Sequence, residues 1–247
     1  MNNYIIEHGN YKTADYEDGI MDFSLFSSIS PKILWVLKET HGKFNPKKWW
    51  GDQEYLQWPI SPFDRKPNPV SEKKIKKNSK KATWEPVARS VYQILNGKST
   101  DDVLELANAL KYIAIINMKK TPGKESVEQE FYEYVNIPEN RAILFEQIRT
   151  IDPDVIICGN TLNMIHKNVI DYRIGKRILL SEFSSDKKTM GRNSCFCFKD
   201  KIFINPFHPS YVMKKDEYVK IIVGAYKNWL EIRDDCPVFK WKNIDEC

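Results

Sequence analysis

The chain has no long apolar run. None approaches the roughly 18 residues that a membrane-spanning helix needs, so no transmembrane segment is expected. The opening residues MNNYIIEHGN are polar and lack the apolar core of a secretory signal, which points to a cytoplasmic protein. Histidine is scarce, at His8, His41, His166 and His208. The five cysteines (Cys158, Cys195, Cys197, Cys236 and Cys247) are odd in number and contain no CxxC pair. Zinc and iron–sulfur spacings are therefore missing, and neither a metal nor another cofactor is expected. Cys195-Phe196-Cys197 alternates as a strand does and puts both thiols on one face, a pattern of packing rather than ligation. Ten glycines and 13 prolines in 247 residues exclude a collagen-like or low-complexity chain.

Hydrophobic residues make up 42% of the chain and charged residues 29%, too apolar for disorder. A chain of this length buries roughly 70–75% of its unfolded surface, and one domain over residues 1–247 is expected. The net charge is only +5, but it is unevenly spread. Residues 43–81 hold eleven basic and four acidic side chains, so the rest of the chain is slightly negative. A cationic patch on a near-neutral body favours a polyanionic partner, because each lysine near a phosphate releases condensed counterions. A solvated loop without a partner is the competing reading.

Strand and helix signals alternate, as a wound parallel sheet requires. The apolar runs at 32–37, 112–117, 155–158 and 201–204 read as buried strands, with further β character at 178–180 and 194–198. Helices are expected over Trp84–Leu95, from the Ser99–Asp102 cap to about Leu110, over Asn140–Ile151, and over Lys214–Ile232. Between the first strand and first helix, residues 43–82 hold five prolines and three tryptophans without clean periodicity, a long insertion of the kind that is usually functional or disordered. The fold class is thus α/β, a three-layer α/β/α arrangement around a central, mostly parallel four-stranded sheet.

Ligands of open α/β sheets lie outside the carboxyl ends of the strands. The polar residues there are Glu39 and His41, Asn117, Asn160 and His208. The segments ILWVLKETHG (33–42), WEPVARSVYQIL (84–95), AIINMKKTPGK (114–124), LFEQIRTIDPDVIICGNT (144–161) and INPFHPSY (204–211) carry these residues. In order and separation they resemble the motifs of the uracil-DNA glycosylase superfamily. The resemblance spans about 33–232 apart from the insertion. His-Pro-Ser and DPDVIICGNT are its most specific pieces.

The resemblance implies a uracil-DNA glycosylase-like fold and hydrolysis of an N-glycosidic bond on a uracil, or a modified or damaged pyrimidine, flipped out of DNA. An abasic site is left, with no metal involved. Such a reaction needs a held water, a donor to the leaving base and a reader of the base edge. Glu39 matches the position where many members carry Asp or Asn, and its carboxylate suits the water; a helix-capping Glu is the alternative. His208 would donate to the carbonyl oxygen where the leaving base gathers charge, the alternative being a histidine fixed in a turn. Asn117 matches the base-reading Asn, since an amide both donates and accepts. Trp84 lies near the stacking aromatic, although a core aromatic would be equally ordinary there. His41 completes the base-binding set.

Lys38, Lys73, Lys74, Lys76, Lys77, Lys120, Thr161 and Ser210 are the expected DNA contacts. Tyr211, Val212 and Met213 are candidates for the wedge that fills the vacated stack. Asn160 braces the site. The implied partner is DNA, double- or single-stranded, met by a monomer away from any membrane.

The chain also departs from the family. Leu37 and Thr40 stand where Gly and Pro normally flank the catalytic position, which implies a reshaped pocket floor. Thr121 stands near where cluster-bearing relatives have a Cys, and their paired N-terminal cysteines are missing, so no iron–sulfur cluster is expected. With the insertion, these departures allow a modified base of viral DNA as target, a role in antiviral defence rather than repair. A catalytically silent DNA- or nucleotide-binding relative is the main alternative, and hydrolysis of free nucleosides a third.

Overall fold

The computed structural model describes residues 5–13, 16–38, 79–121, 128–165, 170–185, 193–209 and 213–241. Most of the expected insertion, residues 43–78, lies outside them. So do Glu39, His41, Lys73, Lys74, Lys76, Lys77, Ser210, Tyr211 and Val212.

Nine strands form one mixed sheet among the described residues. They are β1 (Ile5–Glu7), β2 (Asn10–Lys12), β3 (Glu17–Ile20), β4 (Ile33–Leu37), β5 (Ile113–Asn117), β6 (Val155–Cys158), β7 (Lys176–Leu179), β8 (Ser194–Cys197) and β9 (Ile202–Ile204). Their order is β1-β2-β3-β5-β4-β6-β9-β8-β7. The expectation of a four-stranded sheet is therefore corrected. β5, β4, β6 and β9 pair in parallel, but antiparallel strands extend the sheet on both sides. The extra strands at the amino end escape a hydrophobicity reading because they are three or four residues long and mixed in polarity: IIE, NYK and EDGI.

The parallel strands are near-continuous apolar runs because helices cover both faces. Ile33, Trp35 and Leu37 of β4 face one core with α2 (Ser79–Asn96), α3 (Val103–Ala109) and α6 (Lys215–Ile232). Leu34 and Val36 face the other, with α1 (Phe23–Ser27), α4 (Glu128–Asn136) and α5 (Pro138–Ile151). Helix α2 starts at Ser79 and runs through Pro86, five residues before the expected start at Trp84. Helix α3 is capped as its sequence suggests, with the Asp102 carboxylate accepting from the Leu104 and Glu105 amides. Helix α5 opens on Pro138 and ends on Asp152 in the left-handed region, φ 45°, which turns the chain into β6. Helices α1 and α4 have no counterpart in the expected elements. No helix among the described residues is long and apolar enough to cross a membrane.

Candidate functional site at the carboxyl rim

The four parallel strands end at a common rim, and their pairing continues just past the strand ends. The Met118 and Lys119 amides donate to the Leu37 and Lys38 carbonyls at 2.9 and 3.0 Å. One carbonyl, that of Val36, accepts both the Gly159 amide and the Thr161 hydroxyl, each at 3.0 Å. The Asn160 amide donates to the Pro206 carbonyl at 2.8 Å, and the Leu162 amide to the Asn205 side-chain oxygen at 3.2 Å. Asn160, in the left-handed region at φ 60°, thus braces the loop after β6 against the loop after β9.

Gly159 shows how closely these loops pack. A Cβ there would lie 3.2 Å from both Leu37 Cδ2 and Pro209 Cδ, and 3.6 Å from His208 Cα. His208 and Pro209 are therefore seated against the ends of β4 and β6. Their approach is held from below by the Tyr218 hydroxyl, which donates to the Phe207 carbonyl at 2.9 Å. His208 itself is half-buried.

Asn117 ends β5 at this rim, on the far side of β4 from β6. Beneath it lies a polar cluster that sequence reasoning did not find. Asp18, fully buried on β3, accepts from the Asn117 main-chain amide at 2.7 Å and the Tyr16 hydroxyl at 2.8 Å. Its carboxylate also takes Lys120 Nζ at 2.9 and 3.0 Å and Gln147 Nε2 at 2.8 Å. Gln147 completes the ring by accepting from Lys120 Nζ at 2.5 Å and donating to the Gly9 carbonyl at 3.1 Å.

This network orients Asn117. The phenol of Tyr16 has one proton, and the carboxylate, which only accepts, takes it. The phenolic oxygen must then accept from Asn117, and Asn117 Nδ2 lies 2.7 Å away. Among the described residues the other amide hydrogen and Oδ1 of Asn117 carry no bond. Burial, with the Asp18 charge second, pushes the Tyr16 phenol well above its ordinary range, so it stays a protonated donor. Burial pulls Lys120 down, opposed by Asp18. One cue was legible: Gln147 is a polar residue on the apolar stripe Leu144, Ile148 and Ile151 of α5.

Several expected contacts point inward. Lys120, expected at DNA, is 3% exposed and committed to Asp18. Thr161 is buried, with its hydroxyl on Val36. Trp84 is 4% exposed and packs in the core with Val87 and Val91. Met213 is half-buried against the same core. Lys38 is half-buried, its ammonium 4.8 Å from the Phe131 ring centroid. Glu85, next to Trp84, is buried and paired with Arg89 and Lys215.

Among the described residues, cysteine offers no nucleophile at this rim. Cys158 is fully buried, and burial pushes its thiol up to about 12. Cys195 and Cys197 share one core, as the alternating pattern suggests. Comparison with protein-family models, with curated proteins and with solved structures returned no match.

Proposed function

We propose that the chain is a monofunctional DNA glycosylase that hydrolyses the N-glycosidic bond of a flipped-out uracil or modified pyrimidine. The observation that carries this reading is the oriented amide of Asn117. With one N–H held by Tyr16, it keeps one donor and one acceptor, the pair a pyrimidine edge requires. His208 reaches the same rim three strands away, in a turn packed on Gly159. In this reading His208 donates to the base oxygen as negative charge gathers there, and Glu39 holds the attacking water. A modified base of viral DNA is included among the targets, because Leu37 and Thr40 replace the small and rigid residues expected around Glu39.

The second reading, a silent relative that binds DNA through the same rim, is favoured by one observation: Asn117 is only 1% exposed. A single experiment separates them. Duplex and single-stranded oligonucleotides carrying uracil, hydroxymethylcytosine or glucosylated hydroxymethylcytosine are incubated with the full chain and treated with alkali. Strand breaks that fall about 10²–10³-fold in rate in His208→Ala support excision, that being the loss on removing one oxyanion donor. Retardation of the DNA without breaks supports the silent binder.

A further inference from the structure

A groove of about 580 Å³ opens at the amino ends of β4 and β5, across the sheet from the carboxyl rim, between α2, α3 and the loop before β4. Its size falls within the range of small-ligand pockets, about 300–1,000 Å³. Glu105 is the one charged side chain among its described lining residues. The Glu105 carboxylate makes no ion pair among the described residues. Arg89, one turn before Tyr92 on α2, is committed to Glu85 and Asp101 instead.

Two further features add negative potential. Leu95 and Asn96 close α2, and Asn108 and Ala109 close α3, so the carbonyl ends of both helices lie at the groove. A helix carries partial negative charge at that end, which favours a cation. Asn96 adds an acceptor: its Nδ2 donates to the Tyr92 carbonyl at 3.0 Å, and its Oδ1 remains to accept.

The walls suit an organic cation better than a metal ion. Tyr92 and Tyr112 supply aromatic rings, and Ile29 and Leu95 supply aliphatic surface. The Tyr92 hydroxyl turns toward Glu105, whose carboxylate, with burial second, pushes that phenol up. A hard metal ion takes about six or more oxygen ligands. An ammonium or guanidinium on an apolar stem uses a carboxylate, carbonyls and aromatic surface together.

We infer that this groove binds an organic cation, a primary ammonium or guanidinium on an aliphatic stem, its head on Glu105 and its stem against Tyr92, Tyr112 and Leu95. The inference does not depend on base excision. The same chemistry has two sources, a free amine or the side chain of a lysine or arginine in another protein.

The test is a titration of the isotopically labelled full chain at pH 7, read by amide chemical shifts. The ligands are pentylamine, N-acetyllysine methylamide and pentanol, the neutral isostere of the first. The cations should bind with shifts at Asn96, Glu105 and Asn108, and pentanol should bind more weakly than pentylamine. Glu105→Gln, at an exposed position on α3, should weaken the cations about fivefold or more. Asn108→Lys, which tethers an ammonium in the groove, should abolish the shifts while near-ultraviolet circular dichroism stays unchanged. Tighter binding of pentylamine assigns the groove to a free amine, and tighter binding of the lysine amide assigns it to a protein side chain. The inference is overturned if neither cation binds, if pentanol binds as tightly as pentylamine, or if Glu105→Gln weakens the cations less than about fivefold.

Discussion

Replacing Asp18 by Asn tests the polar cluster under Asn117 most directly. The carboxylate accepts from four donor groups: Lys120 Nζ, the Tyr16 hydroxyl, the Asn117 main-chain amide and Gln147 Nε2. Asparagine has the same shape but keeps one acceptor oxygen. With its nitrogen in the Oδ2 position it faces the Tyr16 hydroxyl and the Asn117 amide, both donors. Flipped, it faces Gln147 Nε2 instead. Either way a donor loses its acceptor, and Lys120, 3% exposed, is left as a buried ammonium without a counter-charge.

Breaking one partner of a buried pair costs about 3–5 kcal/mol, a large share of a typical total stability of about 5–15 kcal/mol. The measurement is urea unfolding followed by tryptophan fluorescence at pH 7. The midpoint should drop by the equivalent of that cost with an unchanged slope. Asp18→Leu/Lys120→Met removes the unpaired ammonium but strips the Tyr16 hydroxyl, the Asn117 main-chain amide and Gln147 Nε2 of their acceptor, so it should recover only the part of the loss that the stranded charge causes. A loss below about 1 kcal/mol in Asp18→Asn would contradict an ionised, multiply bonded Asp18 and the account of the network with it.

The remaining predictions use other parts of the molecule. Gly159→Ala inserts a Cβ 3.2 Å from Leu37 Cδ2 and Pro209 Cδ, so thermal unfolding should show a destabilisation of about 1–3 kcal/mol; wild-type stability would mean that the loop after β9 is not seated on β6. Above pH 10 the unfolded chain loses the Tyr16 proton that the folded chain keeps, so stability falls as pH rises, and Lys120, whose proton leaves the folded state first, opposes this. Urea titrations between pH 9 and 11 should therefore show a shallower alkaline decline in Tyr16→Phe than in the native chain, and an equal decline counts against the buried phenol. Lys73/Lys74/Lys76/Lys77→Ala should weaken DNA binding alike for all sequences and flatten its salt dependence, whereas an unchanged slope of log K against log salt would mean those lysines touch no phosphate.

The parallel strands were legible because burial on both faces leaves only apolar residues. ILWVL, VIIC and IFI announce themselves, and IAIIN does so up to the Asn that marks the rim. Helix α6 was legible for the opposite reason, its apolar residues recurring at helical spacing. The strands at the amino-terminal side of the sheet were not. β1 to β3 are three or four residues long and carry charge, and β7 was legible only in its apolar half, from Ile178. The cluster around Asp18 was hidden by separation: Asp18, Lys120 and Gln147 come from three distant parts of the chain. Lys120 reads as a surface cation until β3 is known to cross beside β5 and bring a carboxylate under it.

Energetics and geometry assign that cluster different tasks. At the amino rim, Lys201 pairs with Asp152, whose side chain is 58% exposed, so water shares the charge. Under Asn117 both partners are buried, 2% and 0% exposed, and desolvation cancels much of the attraction. An apolar pair would remove the charge but leave the Tyr16 hydroxyl, the Asn117 main-chain amide and Gln147 Nε2 without an acceptor. What an apolar pair cannot do is take the Tyr16 proton and thereby turn the Asn117 amide. On the excision reading, Asp18→Leu/Lys120→Met, assayed where it is still folded, should consequently lose discrimination among bases in the alkali assay. If that double variant discriminates as the native chain does, the orientation of Asn117 is irrelevant to base choice and the cluster is packing alone.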